Sequence, residues 1–234
     1  MNESSINEAS QAERNIKPGA AESARPDPFS FIPRLAKQIR SRWLRHTYPF
    51  VAMGKGVSIE LSAEISRAAA QHISLGDGVF IGKDVWLNVV QEGPSSHPKI
   101  SLGKGCRVGR RTTISARNSI LLEADVLLAP SVLLMDHNHE YGNPDLPIHA
   151  QGVTEGGTIR VGKNSWLGYG CVIFCANGDL TIGQNCVIGA NSVVTRSIPP
   201  FSVVAGIPAR ILKQYDPESG QWIKTSAVPV AKVE

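Results

Sequence analysis

The stretch "IRVGKNSWLGYGCVI", Ile159 to Ile173, places Val161, Leu167 and Ile173 six residues apart. Glycine follows the first two of these as Gly162 and Gly168, and three residues beyond them stand Asn164 and Gly170. Asn and Gly tolerate positive φ, so each short strand turns a corner there. Four residues beyond the same positions come Ser165 and Cys171, small enough for a narrow interior. An amphipathic helix repeats its apolar residues every 3.6 positions, and a period of six rejects it. A few extended residues and a corner every six close a triangular coil of about 18 residues, and successive coils stack through parallel hydrogen bonds.

The frame continues in both directions. Leu75, Ile81 and Leu87 carry it in one coil, Leu102, Val108 and Ile114 in the next, then Leu122, Leu128 and Leu134, and finally Ile182, Ile188 and Val194. Corner residues follow as Gly78, Asp84, Gly105, Asp125, Asn185 and Asn191, with Arg111 and Ser131 as the exceptions. Composition agrees with an aliphatic all-β unit: 234 residues, 42% hydrophobic but only 6% aromatic, with 22 glycines. The net charge of +4 is mild; it suits an anionic small molecule better than nucleic acid. No apolar run reaches 18 residues and the N-terminus lacks a signal-peptide pattern, so a cytoplasmic protein is expected. Cys106, Cys171, Cys175 and Cys186 show no secreted framework spacing, and buried reduced thiols are expected.

Outside the repeats the chain changes character. Residues 1–28 are polar and aperiodic, as in a disordered tail. Residues 29–50 read as a basic amphipathic helix, with Ile32, Leu35, Ala36, Ile39 and Trp43 on one face and Arg34, Lys37, Arg40, Arg42 and Arg45 around it. Such a helix either packs on the coil or touches an anionic membrane surface through residues 29–46. The parallel β-helix is assigned to 51–199, a cap to 200–215 and a tail to 216–234. The rhythm breaks once inside the coil, from Met135 to Thr158, in a stretch with three histidines. Pro144, Pro147, Gly142 and Gly152 prevent a strand there, and loops on a rigid scaffold are where sites are placed. "FCANGDL", Phe174 to Leu180, runs about three residues longer than a repeat, should bulge outward and could alter the coenzyme groove.

Three stretches, "DHNHEY" (Asp136 to Tyr141), "IRVGKNSWLGYGCVI" and "IGANSVVTRSIPPFSVVAGIPARILK" (Ile188 to Lys213), resemble the hexapeptide-repeat acyltransferases, and most of all their sugar and polysaccharide O-acetyltransferases. The likeness covers roughly Leu75 to Lys213. It implies an all-β, left-handed parallel β-helix, acetyl-CoA as acyl donor without a metal, a saccharide acceptor, and a homotrimer with sites between subunits. It puts His137 at the place of the catalytic histidine, with Asn138 where several relatives have proline. His139, Tyr141 and Trp166 become substrate-binding candidates. Tyr169, Ala190, Thr195, Arg196, Arg210 and Lys213 match coenzyme-contacting positions, and residues 200–215 the coenzyme-binding cap.

The chemistry is consistent with those residues. An attacking hydroxyl must lose its proton, and a neutral imidazole is the usual base, worth about 10²–10⁴-fold. Phosphate groups of a coenzyme favour Arg and Lys. Asp136 either orients a ring or caps a turn; Trp166 either walls the acceptor pocket or plugs the side of the coil; Gln151 either meets a sugar or packs the loop. Two other enzymes suit the same coil. One transfers acetyl to the amine of an amino-sugar nucleotide. The other is a zinc carbonic-anhydrase type, which needs three imidazoles, for which His72 or His97 would have to join His137 and His139.

Overall fold

A computed structural model of the chain describes residues 28–90 and 97–228. The tail expected at the N-terminus falls on residues outside these, apart from Pro28. The chain divides into two compact units, residues 1–36 and 37–234.

Three parallel sheets form the sides of a prism. Face 1 stacks Ala52–Met53, Ile73–Leu75, Ile100–Leu102, Ser119–Leu122, Thr158–Val161 and Asp179–Ile182. Face 2 stacks Ser58–Ile59, Phe80–Ile81, Arg107–Val108, Leu127–Leu128, Trp166–Leu167 and Val187–Ile188. Face 3 stacks Glu64–Ile65, Trp86–Val89, Thr113–Ala116, Leu133–Met135, Val172–Phe174 and Val193–Val194. The register keeps like residues above one another: Leu134 lies between Ile114 and Ile173, and Leu167 between Leu128 and Ile188. All of these are buried in one continuous aliphatic core. This is the left-handed parallel β-helix that the motifs imply.

The corners behave as the six-residue frame requires. Asp84, Asp125, Asn164, Asn185 and Asn191 hold φ between 54° and 60°. Arg111 and Ser131, the exceptions in sequence, adopt the same conformation at 57° and 62°. Their amides donate to Lys83 O and Arg110 O one coil below, so the inter-coil ladder imposes a corner that these side chains do not favour. The glycines after the key aliphatics have another task. A Cβ on Gly76 would lie 2.7 Å from the amide nitrogen of Lys104, so adjacent coils approach too closely for a side chain. All four cysteines are free and buried, and burial pushes the Cys106 thiol up to about 11 and the Cys171 thiol up to about 12.

Both flanks differ from expectation. Helix α1, Pro28–Thr47, stops short of residue 50 because Pro49 cannot extend it. Its inward face is also not the anticipated one. Ser41 and Leu44 are buried, whereas Ile39 and Trp43 are 62% and 58% exposed. The first coil presents backbone groups that need partners: Ile59 N–H donates to Ser41 Oγ at 3.2 Å, and Arg40 donates to Glu60 O at 2.6 Å. Polar side chains therefore face the coil where an apolar stripe was anticipated. At the other end, the described part of the expected tail, residues 216–228, is folded, and residues 229–234 lie outside the described residues. Ser202–Gly206 continues face 2, and Ala209–Asp216 and Gln221–Val228 extend it as antiparallel strands. Asp216 closes the last turn by accepting from the Glu218 and Ser219 amides and the Ser219 hydroxyl; that hydroxyl is the main reason its carboxyl lies below the usual range. Among the described residues no helix is long and apolar enough to cross a membrane.

Candidate active site

Strand Leu133–Met135 ends at the edge between faces 3 and 1, and the next residue is Asp136. Its side chain is fully buried and its carboxylate accepts three consecutive backbone amides: Arg117 at 2.7 Å, and Asn118 and Ser119 at 2.9 Å each. The same carboxylate faces His137 Nδ1 at 3.1 Å. The two readings of Asp136 are therefore both correct: it caps the turn of the coil below and orients the ring. With Nδ1–H donating to Asp136, His137 presents Nε2 as the acceptor. The side chain is 8% exposed, more enclosed than a position at a loop mouth implies.

The broken rhythm is a structured arm. His139 bridges to Val153 in antiparallel fashion, Thr154 N–H donates to Asn138 O, and Gly157 N–H returns to Asp136 O at 2.6 Å. A short 3-10 turn, Ile148–Ala150, forms its far end. Gln151 packs the arm, bonding Asn143 through both ends of its amide and donating to Leu146 O. His139, Tyr141 and His149 are exposed on the arm, with Tyr141 at 69%. The "FCANGDL" bulge bears on this corner: Thr158 N–H donates to Gly178 O, Cys175 N–H donates to Met135 O, and a Cβ on Gly157 would strike Cys175 Sγ at 2.7 Å. Desolvation raises the Cys175 thiol as well.

The coenzyme candidates fall into three groups. Thr195, Arg196 and Arg210 line one cleft of about 200 Å³ with Val194, Ile198, Pro208 and Ala209. Val194 aligns with Ile173, and Ile173 with Leu134. The cleft thus lies on the same prism edge as His137, two coil spacings along, or about 10 Å at ~4.8 Å per spacing. Tyr169 and Ala190 stack one coil apart on a different edge, between faces 2 and 3, where Asn191 N–H donates to Tyr169 O. Lys213 lies outside the cleft, exposed on the C-terminal strands opposite Val203 and Lys224. Trp166 projects outward from face 2, 48% exposed, so it does not plug the coil, and it stands on a different side from His137.

One polar feature escaped sequence reasoning. Asn88 Nδ2 donates to Ser115 Oγ at 2.9 Å, and both align with Met135 on the edge below His137. The signal was available in principle, since each polar residue stands one position beyond an inward aliphatic, Leu87 or Ile114. Among the described residues, no three His, Cys, Asp or Glu side chains are grouped to hold a metal ion, so the three-imidazole set of the zinc alternative is not assembled there.

Fold and site together define a hexapeptide-repeat β-helix with a buried histidine at an interrupted corner. Residues 158–196 match the family described as the hexapeptide repeat of succinyl-transferase. The chain is 34% identical over 118 residues to WbbJ of Escherichia coli K12, named as an O-acetyl transferase of lipopolysaccharide biosynthesis, covering 47% of this chain and 58% of that one. It is 33% identical over 141 residues to galactoside O-acetyltransferase of the same organism, covering 57% and 63%. It thus spans about three-fifths of the length of these two relatives. Among solved structures, the N-acyltransferase AntD from Bacillus cereus superposes with a TM-score of 0.61 at 20% identity, over 78% of this chain and 90% of AntD, a likeness of fold. The resemblance to hexapeptide-repeat acyltransferases holds on these matches.

Proposed function

We propose that the protein transfers an acetyl group from acetyl-CoA to a hydroxyl of a saccharide or polysaccharide precursor. The observation that carries this is the Asp136–His137 pair, buried on the prism edge that continues into the cleft holding Arg196 and Arg210. The sugar-modifying names of the two relatives support a saccharide acceptor over other alcohols. In this reading His137 Nε2 takes the acceptor hydroxyl proton as the oxygen attacks the acetyl carbonyl. The C–S bond then breaks, and the departing thiolate recovers the proton from the imidazolium. Asp136 holds the ring and favours the charged intermediate, as a carboxylate beside Nδ1 does in general. Metal assistance is not required by this step, and no covalent enzyme intermediate forms.

The functional unit in this proposal is a homotrimer. Tyr169 and Ala190 lie on one edge, His137 and Arg196 on another, and a neighbouring copy would bring the two edges together. The test of the function is an acceptor panel of mono- and oligosaccharides with acetyl-CoA, following thiol release. Acceptor-dependent release with an O-acetyl product supports the reading. Release with amino sugars alone, giving an amide, replaces it with N-acetyl transfer.

A further inference from the structure

Arg117 stands at the corner between faces 3 and 1, one coil below the candidate base. Ser115 aligns with Met135, and Arg117 follows the one by two residues as His137 follows the other. The Arg117 amide and His137 Nδ1 meet on the same oxygen of Asp136, at 2.7 and 3.1 Å. The aliphatic stem of Arg117 runs along the base of the arm: a Cβ on Gly156 would lie 3.4 Å from Arg117 Cβ and 3.6 Å from its Cδ. The arm is anchored there, because Gly157 N–H donates to Asp136 O. Arg117 is half-buried, yet among the described residues its guanidinium makes no hydrogen bond or ion pair. Asp136 does not serve it, being fully buried and taken up by three amides and the imidazole. Glu155, beside Gly156 in the chain, is exposed and unpaired with it. Packing on Gly156 uses only the methylene stem, for which a methionine would serve, so the charge is superfluous to the fold.

We infer that the acceptor saccharide carries an acidic group close to the acetylated hydroxyl, and that Arg117 binds it. The inference rests on the proposed O-acetyl transfer at His137 and adds the charge class of the acceptor. Position along the prism supports it. The cleft with Arg196 and Arg210 lies on the C-terminal side of His137, whereas Arg117 and the Asn88–Ser115 pair lie on the other side of the same edge. With acetyl-CoA in the cleft, the flank left for the acceptor is the one that Arg117 borders. A guanidinium presents a planar fork of donors that matches a uronate carboxylate or a phosphate, the acid groups that sugars carry. The stem is already fixed against Gly156, so binding an anion orders little further side chain. A neutral hexose offers the fork only hydroxyls and leaves a partly desolvated charge unmatched.

The test compares matched acceptors with acetyl-CoA on the full chain: methyl glycosides of glucose, galactose and mannose, the corresponding methyl uronosides, and the corresponding 1-phosphates, with the O-acetyl product measured. The wild type should use one acidic series with a kcat/KM roughly tenfold above its neutral counterpart, and which series leads identifies the acid. Arg117→Met, which keeps a stem against Gly156 and removes the charge, should bring that ratio close to one through a higher KM for the acidic acceptor. A purely structural role would lower both series alike and leave the ratio where it was. Circular dichroism checks that the variant folds, and Arg117→Gln repeats the comparison should Arg117→Met fail to. A wild type without the preference, or a preference that survives in a folded Arg117 variant, overturns this inference and leaves O-acetyl transfer standing. Absence of O-acetyl product from every saccharide overturns the reading of the function, and the inference with it.

Discussion

At the scale of single residues, Asp136 and His137 divide structural and chemical duty, and that division can be measured. Asp136 satisfies three amides of the coil below, so Asp136→Ala leaves buried donors unpaired, at a cost of roughly 1–3 kcal/mol for each that water does not reach. His137→Ala removes one side-chain hydrogen bond and a buried ring, so it should cost roughly 1–3 kcal/mol, less than Asp136→Ala, which strips the partner from three amides. Turnover should fall about 10²–10⁴-fold, mostly in kcat, with coenzyme affinity retained. Denaturation alongside steady-state kinetics separates the two variants; a His137→Ala protein that loses stability but keeps its kcat would reverse the assignment. Arg210→Ala should raise the acetyl-CoA KM and barely move the acceptor KM, since Arg210 lines the cleft away from the arm. His137 was legible from where the period fails. The role of Asp136 was not, because its partners Arg117, Asn118 and Ser119 lie 17 to 19 residues earlier and meet it only when the coils stack. The thiols matter for assays. With pKa values pushed to about 11 and about 12, Cys106 and Cys171 are ionised to about one part in a thousand or less at pH 8. Native protein should therefore add little background from these two to a thiol-release assay, and both should react after unfolding.

At the scale of elements, local pattern was informative where the element is part of the repeat and misleading where it is not. The six-residue frame locates all three faces, because each inward aliphatic is fixed by the coil beneath it. Helix α1 shows the contrary case. Its apolar spacing points to Ile39 and Trp43, but the coil end it covers carries an amide at Ile59 and a carbonyl at Glu60 that need Ser41 and Arg40. Hydrophobic periodicity finds a helix and cannot say which face a polar neighbour selects. The energetic consequence is specific. Leu44→Ala should destabilise the protein by about 2–5 kcal/mol, as for other buried leucines. Trp43→Ala, although it removes a larger side chain, should change stability by little more than about 0.5 kcal/mol. Chemical denaturation of the two variants decides it, and the reverse ranking would mean that the helix docks by its outer stripe in solution. The strands after Asp216 were missed for a related reason. "GQWIKTSAV", Gly220 to Val228, alternates weakly, and its pairing depends on the Asp216 turn bringing it beside Ala209–Asp216.

For the whole molecule, the distribution of candidate residues over the prism is the strongest argument for assembly. His137, Thr195 and Arg196 share the edge between faces 3 and 1, whereas Tyr169 and Ala190 stand on the edge between faces 2 and 3, and Trp166 on face 2. Leu127 and Trp166 on face 2 and Trp86 on face 3 also leave large apolar side chains 42–48% exposed. A rigid coil cannot bend one edge onto another, because its core is continuous and close-packed from end to end. If all these residues serve one reaction, a second copy must supply part of the set, and a cyclic trimer does so three times over with a single kind of contact. Sedimentation at micromolar concentration should accordingly give a trimer mass. The sharper measurement is complementation. His137→Ala and Trp166→Ala proteins, each weakened on its own, are unfolded together and refolded as a mixture. In a shared-site trimer about one interface in four pairs an intact His137 edge with an intact Trp166 face, so about a quarter of wild-type activity should return. If each site is complete within one chain, every chain in the mixture carries one defect or the other and no activity returns. Recovery near a quarter from two weakened parents therefore requires the shared site, and none at all in refolded trimers would assign Trp166 to the contact and not to the chemistry.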